Sequence, residues 1–267
     1  MLHRRERENV SHRSTDGGIV RESILGVGIS CVNMGMALEQ LDRWLVDRRP
    51  QYVCVVPAHS IMDAYDNPPL RRLLNASGMT TPDGMAVVWI LRLRGHHDVQ
   101  RVYGPDLLLA ACTHGLPKNY RHFFFGGAPG VADKLAEKLT ARLPGLQVAG
   151  TFTPPFSTLT AEEDAAVIRR INSARANIVW VGLSSSKQAT WMHAHLGKLD
   201  APVMVGIGAA FDFISGSKPQ APIWMQRLGL EWLFRLLSEP TRLWPRYREY
   251  PRFVLLVLAE WLKFRRS

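Results

Sequence analysis

The residues best suited to chemistry sit in short turns that close apolar runs. In Thr81-Pro82-Asp83-Gly84-Met85, Asp83 stands where a strand-like segment gives way to the helical run Ala86 to Leu91. A carboxylate there can cap the helix, the commoner role for Asp, or take a proton from an attacking hydroxyl. In Phe125-Gly126-Gly127-Ala128-Pro129-Gly130, Gly126 and Gly127 precede a helix that starts near Val131. Glycines let backbone amides approach a phosphate at a helix N-terminus, though a plain tight turn has the same composition. The turn Val181-Gly182-Leu183-Ser184-Ser185-Ser186-Lys187-Gln188 repeats that logic. Lys187 and Gln188 on its first helical turn can reach a diphosphate or a base edge, or can simply be solvated. His59, in Pro57-Ala58-His59-Ser60, follows the run ending at Val56 and can orient a substrate or serve the fold. Arg101, ahead of Gly104-Pro105-Asp106, suits phosphate recognition but is ambiguous taken alone.

Two absences narrow the chemistry. No Asp-x-Asp pair and no His/Cys cluster at metal-ligand spacing occurs, so no metal or other cofactor is expected. Gly26-Val27-Gly28 and Gly206-Ile207-Gly208 begin a dinucleotide fingerprint, but Cys31 and Phe211 stand where the third glycine belongs, which sets NAD aside.

The elements that must position these turns follow from periodicity. Short β-branched or aromatic runs (Tyr52 to Val56, His122 to Phe125, Leu146 to Thr151, Ile178 to Leu183, Val203 to Ile207) alternate with helical patterns. Apolar stripes recur at Met36, Leu38, Leu41, Trp44 and Leu45, at Val131, Leu135 and Leu139, and at Ala165, Ile168 and Ile171. The alternation predicts an α/β fold with a mostly parallel sheet covered by helices, and ligands in such sheets bind beyond the carboxyl ends of the strands. The expected organisation is a loose leader over 1–22, a core over 23–221 and a helical appendage over 222–267. Pro240 and Pro245 are expected to break that appendage into two or three short helices.

At 267 residues and 46% apolar composition the chain can bury a sizeable core. Its net charge of +10 implies an anionic partner, and half of that excess lies after Pro222, where nine Lys/Arg face four Glu. Those cations are interleaved with Trp and Leu, as an interfacial helix on anionic lipid requires. Packing of the same face on the core or on a second subunit, as in a homo-oligomer, is the alternative. The most apolar run, Phe253 to Ala259, is far shorter than the roughly 20 residues that cross a bilayer. The N-terminus lacks the apolar stretch of a signal peptide. Three scattered cysteines, Cys31, Cys54 and Cys112, read as buried thiols in a reducing compartment.

Taken together, the Thr81–Met85 turn, Phe125-Gly126-Gly127-Ala128-Pro129-Gly130-Val131-Ala132, Val181-Gly182-Leu183 with Lys187-Gln188, Gly206 to Gly216, and the run Ala221 to Arg246 resemble the WecG/TagA/CpsF family of bacterial glycosyltransferases. The resemblance spans about Ile24 to Phe264. It implies a Rossmann-like core with a C-terminal appendage that docks on the membrane and completes the site. It further implies inverting, metal-independent transfer of a sugar from a UDP-linked donor to a polyprenyl-diphosphate-linked acceptor at the inner face of the cytoplasmic membrane. Asp83 matches the family's general base, Arg101 an arginine at the substrate phosphates, and Gln188 a residue near the nucleotide sugar. Arg235, Arg242 and Arg246 would reach the diphosphate from the appendage. One departure stands out: Pro57-Ala58-His59 replaces the family's Thr-x-Asn-like turn, which makes glucose a candidate beside N-acetylmannosamine-type sugars.

Two rival classes remain at this level. The positive charge alone would suit a nucleic-acid-binding module, but no recognised motif accompanies it and no nucleic-acid partner is expected. Steep salt-dependent DNA binding would favour that reading. An NAD-dependent oxidoreductase on a similar core would be exposed by an absorbance assay for reduced nicotinamide.

Overall fold

A computed structural model describes residues 18–155, 157 and 159–265, with side chains to Lys263; the greater part of the expected leader, residues 1–17, lies outside them. The chain opens with an antiparallel hairpin of β1 (Arg21–Ile24) and β2 (Val27–Ser30), turned by Leu25 and Gly26 at φ 52° and 82°. Then follow α1 (Met34–Val46), β3 (Gln51–Val56), α2 (Ala58–Asp66), α3 (Pro68–Ala76), β4 (Met79–Pro82) and α4 (Met85–Leu93). The centre comprises α5 (Gly104–Gly115), β5 (Arg121–Gly126), α6 (Val131–Arg142), β6 (Gln147–Phe152), α7 (Ala161–Ser173), β7 (Ile178–Gly182), α8 (Ser185–His195), β8 (Val203–Gly206) and α9 (Ala210–Ser215). Four helices close the chain: α10 (Ile223–Arg227), α11 (Glu231–Ser238), α12 (Pro240–Tyr247) and α13 (Tyr250–Arg265).

The main sheet has six strands in the order β4-β3-β8-β7-β5-β6, every neighbouring pair parallel. This is the α/β parallel sheet that the alternating pattern predicts and the Rossmann-like core that the resemblance implies, with β4 and the small hairpin added to the five expected strands. Period-2 side-chain placement gives two apolar layers. Tyr52, Cys54 and Val56 of β3 with Val179 and Val181 of β7 meet α2, α3, α4, α7 and α8 on one face. Val53, Val55, Ile178 and Trp180 meet α1, α5, α6 and α9 on the other. Covered on both faces, the strands read as continuous apolar runs, which is why they are visible in sequence. All three cysteines are buried thiols, as expected.

Three expectations need correction. Met36 is 38% exposed, and the inward stripe of α1 runs through Ala37, Gln40, Leu41, Trp44 and Leu45, with Leu38 only partly buried. In α7, Val167 and Ile171 are buried while Ile168 packs at the margin. The appendage forms four helices, not two or three. Pro240 opens α12 at its first turn, where its missing N–H is harmless. Pro245 lies inside α12 without ending it, because Leu243 and Tyr247 on either side are buried and hold the turn. The last helix runs 16 residues.

The appendage is fastened to the core at both ends of α13. Arg252 pairs with Asp66 of α2 through two hydrogen bonds of 2.6 and 2.7 Å. Glu260 accepts from Arg94 at 2.6 Å and from the backbone N–H of Leu25 at 3.1 Å. Phe253 is buried in the same apolar layer as α2 and α4. Among the described residues no helix is long and apolar enough to cross a membrane.

Candidate active site

The carboxyl ends of β3 and β4 face α10 to α13 across an open cleft. Its lining comes from four parts of the chain. Pro57 and His59 follow β3, Asp83 and Met85 follow β4, and Glu231, Trp232, Arg235, Tyr247 and Tyr250 come from the appendage. Arg101, from the loop before α5, joins them. Trp232, Tyr247 and Tyr250 meet edge to face with ring centroids 5.1–6.0 Å apart and wall the appendage side.

Asp83 owes its position to the turn that follows β4. Its N–H still donates to Val56 O at 3.2 Å, so it is fixed to the neighbouring strand. Gly84, at φ 88° and ψ 142°, then swings the chain into α4. A side chain at that φ would be strained, so glycine is needed here. Gly84 itself occupies the N-cap position, and no side chain caps α4. Of the two roles open to Asp83 from spacing, the helix cap is therefore excluded, and the carboxylate points into the cleft.

Arg101 lies between two carboxylates. Its Nη2 donates to Glu231 Oε2, its Nη1 donates to Gln226 Oε1 at 3.3 Å, and its Nε lies 3.5 Å from Asp83 Oδ1. Its guanidinium carbon lies over the Tyr103 ring, 3.9 Å from the centroid. Arg101 and Asp83 side chains are only 14% and 17% exposed, yet neither Nε nor Oδ1 has a hydrogen-bonding partner among the described residues. Burial pushes the Asp83 carboxyl up to about 6 despite the Arg101 charge that lowers it, and Glu231 adds to the rise. For Arg101, burial opposes its charge, but Asp83 and Glu231 more than restore it. Arg235 is held charged against burial by Tyr247 and Glu231. His59 occupies the first turn of α2 rather than a loop, is 7% exposed, and burial with nearby Arg246 and Arg235 keeps its ring neutral.

His59, Asp83, Arg101 and Arg235 thus share the cleft, and Arg246 lies near enough for its charge to bear on His59 and Asp63. The other expected residues do not line it. Gln188 is buried and its Oε1 accepts from Gly208 N–H at 3.1 Å, bracing α8 against the end of β8. Lys187 is exposed at the start of α8. Gly126 and Gly127, at φ 122° and 77°, lie at the end of β5, where a Cβ on Gly126 would stand 2.7 Å from Gly182 O. Close strand packing requires that glycine, and Gly127 N–H donates to Gly182 O at 2.9 Å. Arg242 is 50% exposed and paired with Glu239 of its own helix turn.

Sequence reasoning missed Glu231, Gln226, Tyr247 and Tyr250. Glu231 begins α11 and, like Gln226, lies in the run Ala221 to Arg246 that carries the resemblance, but only its partner across the cleft gives it a role.

The model of the Glycosyl transferase WecG/TagA/CpsF family matches residues 22–267. An N-acetylglucosaminyldiphosphoundecaprenol N-acetyl-beta-D-mannosaminyltransferase of Bacillus spizizenii is 31% identical over 196 residues, 73% of this chain and 74% of that protein. A protein of the same name from Bacillus subtilis strain 168 is 30% identical over 188 residues, 70% of this chain and 71% of that protein.

Proposed function

Since the chain belongs to the WecG/TagA/CpsF family and is a glycosyltransferase, we propose that it moves a sugar, of the N-acetylmannosamine type or glucose, from a UDP-linked donor to a polyprenyl-diphosphate-linked glycan for a cell-surface polysaccharide. The buried, elevated carboxylate of Asp83 facing guanidinium groups in one cleft is the observation that carries this reading. In the proposed step the acceptor hydroxyl oxygen bonds to the anomeric carbon as the bond to the UDP oxygen breaks on the opposite face, so configuration inverts. The hydroxyl proton passes to Asp83, and the electron pair leaves with UDP. Base catalysis of this kind contributes about a hundred- to ten-thousand-fold. Arg101, Arg235 and Arg246 meet the charge that gathers on the diphosphate, a role that lets the step proceed without a metal. His59, neutral and in the same cleft, presents a ring where the resemblance leads one to expect a hydroxyl or an amide, which makes glucose a candidate beside N-acetylmannosamine-type sugars. Incubating the protein with a panel of UDP-sugars and a polyprenyl-diphosphate-linked N-acetylglucosamine should add one hexose or N-acetylhexosamine to the lipid product by mass. Transfer from a GDP- or dTDP-sugar with none from any UDP-sugar would sink the donor assignment.

The same reading puts the enzyme on the cytoplasmic face of the membrane through its appendage. Val254, Leu255, Leu258 and Leu262 of α13 are 50–68% exposed and fall on one helical face. Phe253, Leu256 and Val257 face the core from the other side. Trp224 and Trp244, each 59% exposed, and the exposed Arg242 and Arg248 supply the aromatic and cationic groups that suit a headgroup region. The double substitution Leu255→Asp, Leu258→Asp is expected to reduce sedimentation with phosphatidylglycerol vesicles at least about tenfold. Turnover of a short-chain, water-soluble acceptor should persist, and unchanged vesicle binding would remove α13 from the interface.

A further inference from the structure

Among the described residues Asp83 forms an ion pair with Arg101, and the fork of that guanidinium is already occupied. Its Nη2 is held by Glu231 of α11 and its Nη1 by Gln226 of α10, both appendage residues. The guanidinium carbon lies over the Tyr103 ring, 3.9 Å from the centroid. What remains for Asp83 is a lateral approach at 3.5 Å from Nε, with no hydrogen bond formed by either atom. An arginine free to turn would present its fork to the carboxylate in a bidentate pair, the stronger arrangement.

We propose that Glu231 is a positioning residue: by holding the Arg101 fork it keeps Asp83 from being captured in a bidentate ion pair and leaves an oxygen free to accept the substrate proton. Because Glu231 and Gln226 arrive with the appendage, the base becomes competent only when α10 and α11 are seated. The proposal rests on Asp83 acting as the base. The other groups around Asp83 do not duplicate this role. Arg235 of α11 lowers its proton affinity, as Arg101 does. Tyr247 of α12 and Tyr250 of α13 sense the Asp83 charge as phenols whose own ionisation is pushed upward by burial. His59 of α2 is neutral.

The test is Glu231→Gln, which keeps shape and removes charge, read by the pH dependence of kcat and by the carboxyl carbon NMR shift of Asp83. The wild-type acidic limb should fall near the Asp83 value of about 6. In Glu231→Gln, loss of the Glu231 charge and capture by Arg101 both act downward, and the limb and the NMR titration should fall by about one unit or more. In an Arg101→Met background, where no capture can occur, the same substitution should shift the titration clearly less, and an equal shift in both backgrounds would overturn the proposal. Plateau kcat should fall about tenfold, with KM for donor and acceptor changed less than about twofold. Glu231→Asp, which keeps the charge on a shorter arm, should restore part of both shifts. It serves as the second measurement if the Gln variant folds poorly. Altered KM and thermal midpoint with an unmoved limb and titration would mean that Glu231 only docks the appendage, and would overturn the proposal. Asp83→Asn separates the layers. If that variant still turns over, the base assignment falls and this proposal with it; if it is inactive while Glu231→Gln leaves the titration in place, this proposal alone falls.

Discussion

Replacing Asp83 with Asn is expected to lower turnover by at least about a hundredfold while raising thermal stability, two effects of one cause. The carboxyl binds its proton more tightly in the fold than in the unfolded chain, rising from 3.8 to about 6 because burial disfavours its charge. Its contribution therefore favours the fold where the group is protonated in both states, and this is lost as pH climbs through about 6. At pH 7 the charged carboxylate is a net strain on the fold. Asn keeps the shape and the polar reach without the charge, so the gain should be about 1–3 kcal/mol, or a few degrees in thermal midpoint. UDP affinity should change little, because the proton acceptor does not bind the nucleotide. Calorimetry and single-turnover kinetics on the same sample check both halves. Wild-type turnover, or a lowered midpoint at pH 7, would contradict the assignment.

Arg101→Met is expected to lower turnover as well but to change stability in the opposite direction. Arg101 lies between Asp83 and Glu231, both largely buried, and its removal leaves two carboxylates facing each other with their nearest shared cation gone. Breaking such a cluster on one side costs about 3–5 kcal/mol, because the remaining charges stay buried. The Asp83 limb should move up, since the Arg101 charge is the strongest influence holding it down. Turnover should drop about a hundred- to a thousandfold as a donor to the developing diphosphate charge is lost. Arg101→Lys should recover stability better than turnover, because an ammonium supplies charge but no fork for Glu231 and Gln226. The pH profile of kcat and denaturant unfolding measure the two. A limb that moves down, or stability equal to that of the unaltered protein, would show that the three groups are not coupled as their geometry indicates.

Opposite displacements of one titration by Glu231→Gln and Arg101→Met follow from the two charges, and the signature of positioning is that the Glu231→Gln displacement shrinks once Arg101 is replaced. A residue that merely holds α11 in place would not generate it, because undocking exposes Asp83 to water whichever partner is removed.

How far these features could be read in advance differs by residue. The strands were legible because burial on both faces makes them continuous apolar runs, and the turns at their ends carry their own marks in Gly, Pro, Ser and Asp. β4 was blurred because it is four residues with two threonines, Thr80 and Thr81, whose burial depends on hydrogen bonds to Gly28 O and Val102 O. The stripe of α1 was misplaced by one position at Met36, since a long apolar residue at the edge of a helical face scores like a core residue until a neighbour is there to cover it or not. The Gly126-Gly127 and Lys187-Gln188 turns have the composition of phosphate sites. The fold uses Gly126 for close packing against Gly182 and Gln188 to brace Gly208, and neither use has a distinct sequence mark.

The chain's local chemistry, its periodicity and turn residues, determined that five of the six parallel strands would form a covered sheet and that Asp83 and His59 would emerge near strand ends. Only the folded chain decided that a helix more than 120 residues further on would deliver Glu231 to Arg101. That choice depends on long-range closure through Arg252 with Asp66 and Glu260 with Arg94 and Leu25, contacts between residues that have no relation along the chain. Proton affinity follows the same division. A carboxylate's intrinsic chemistry is written in its residue type, but burial and the charges placed beside it are properties of the assembled cleft.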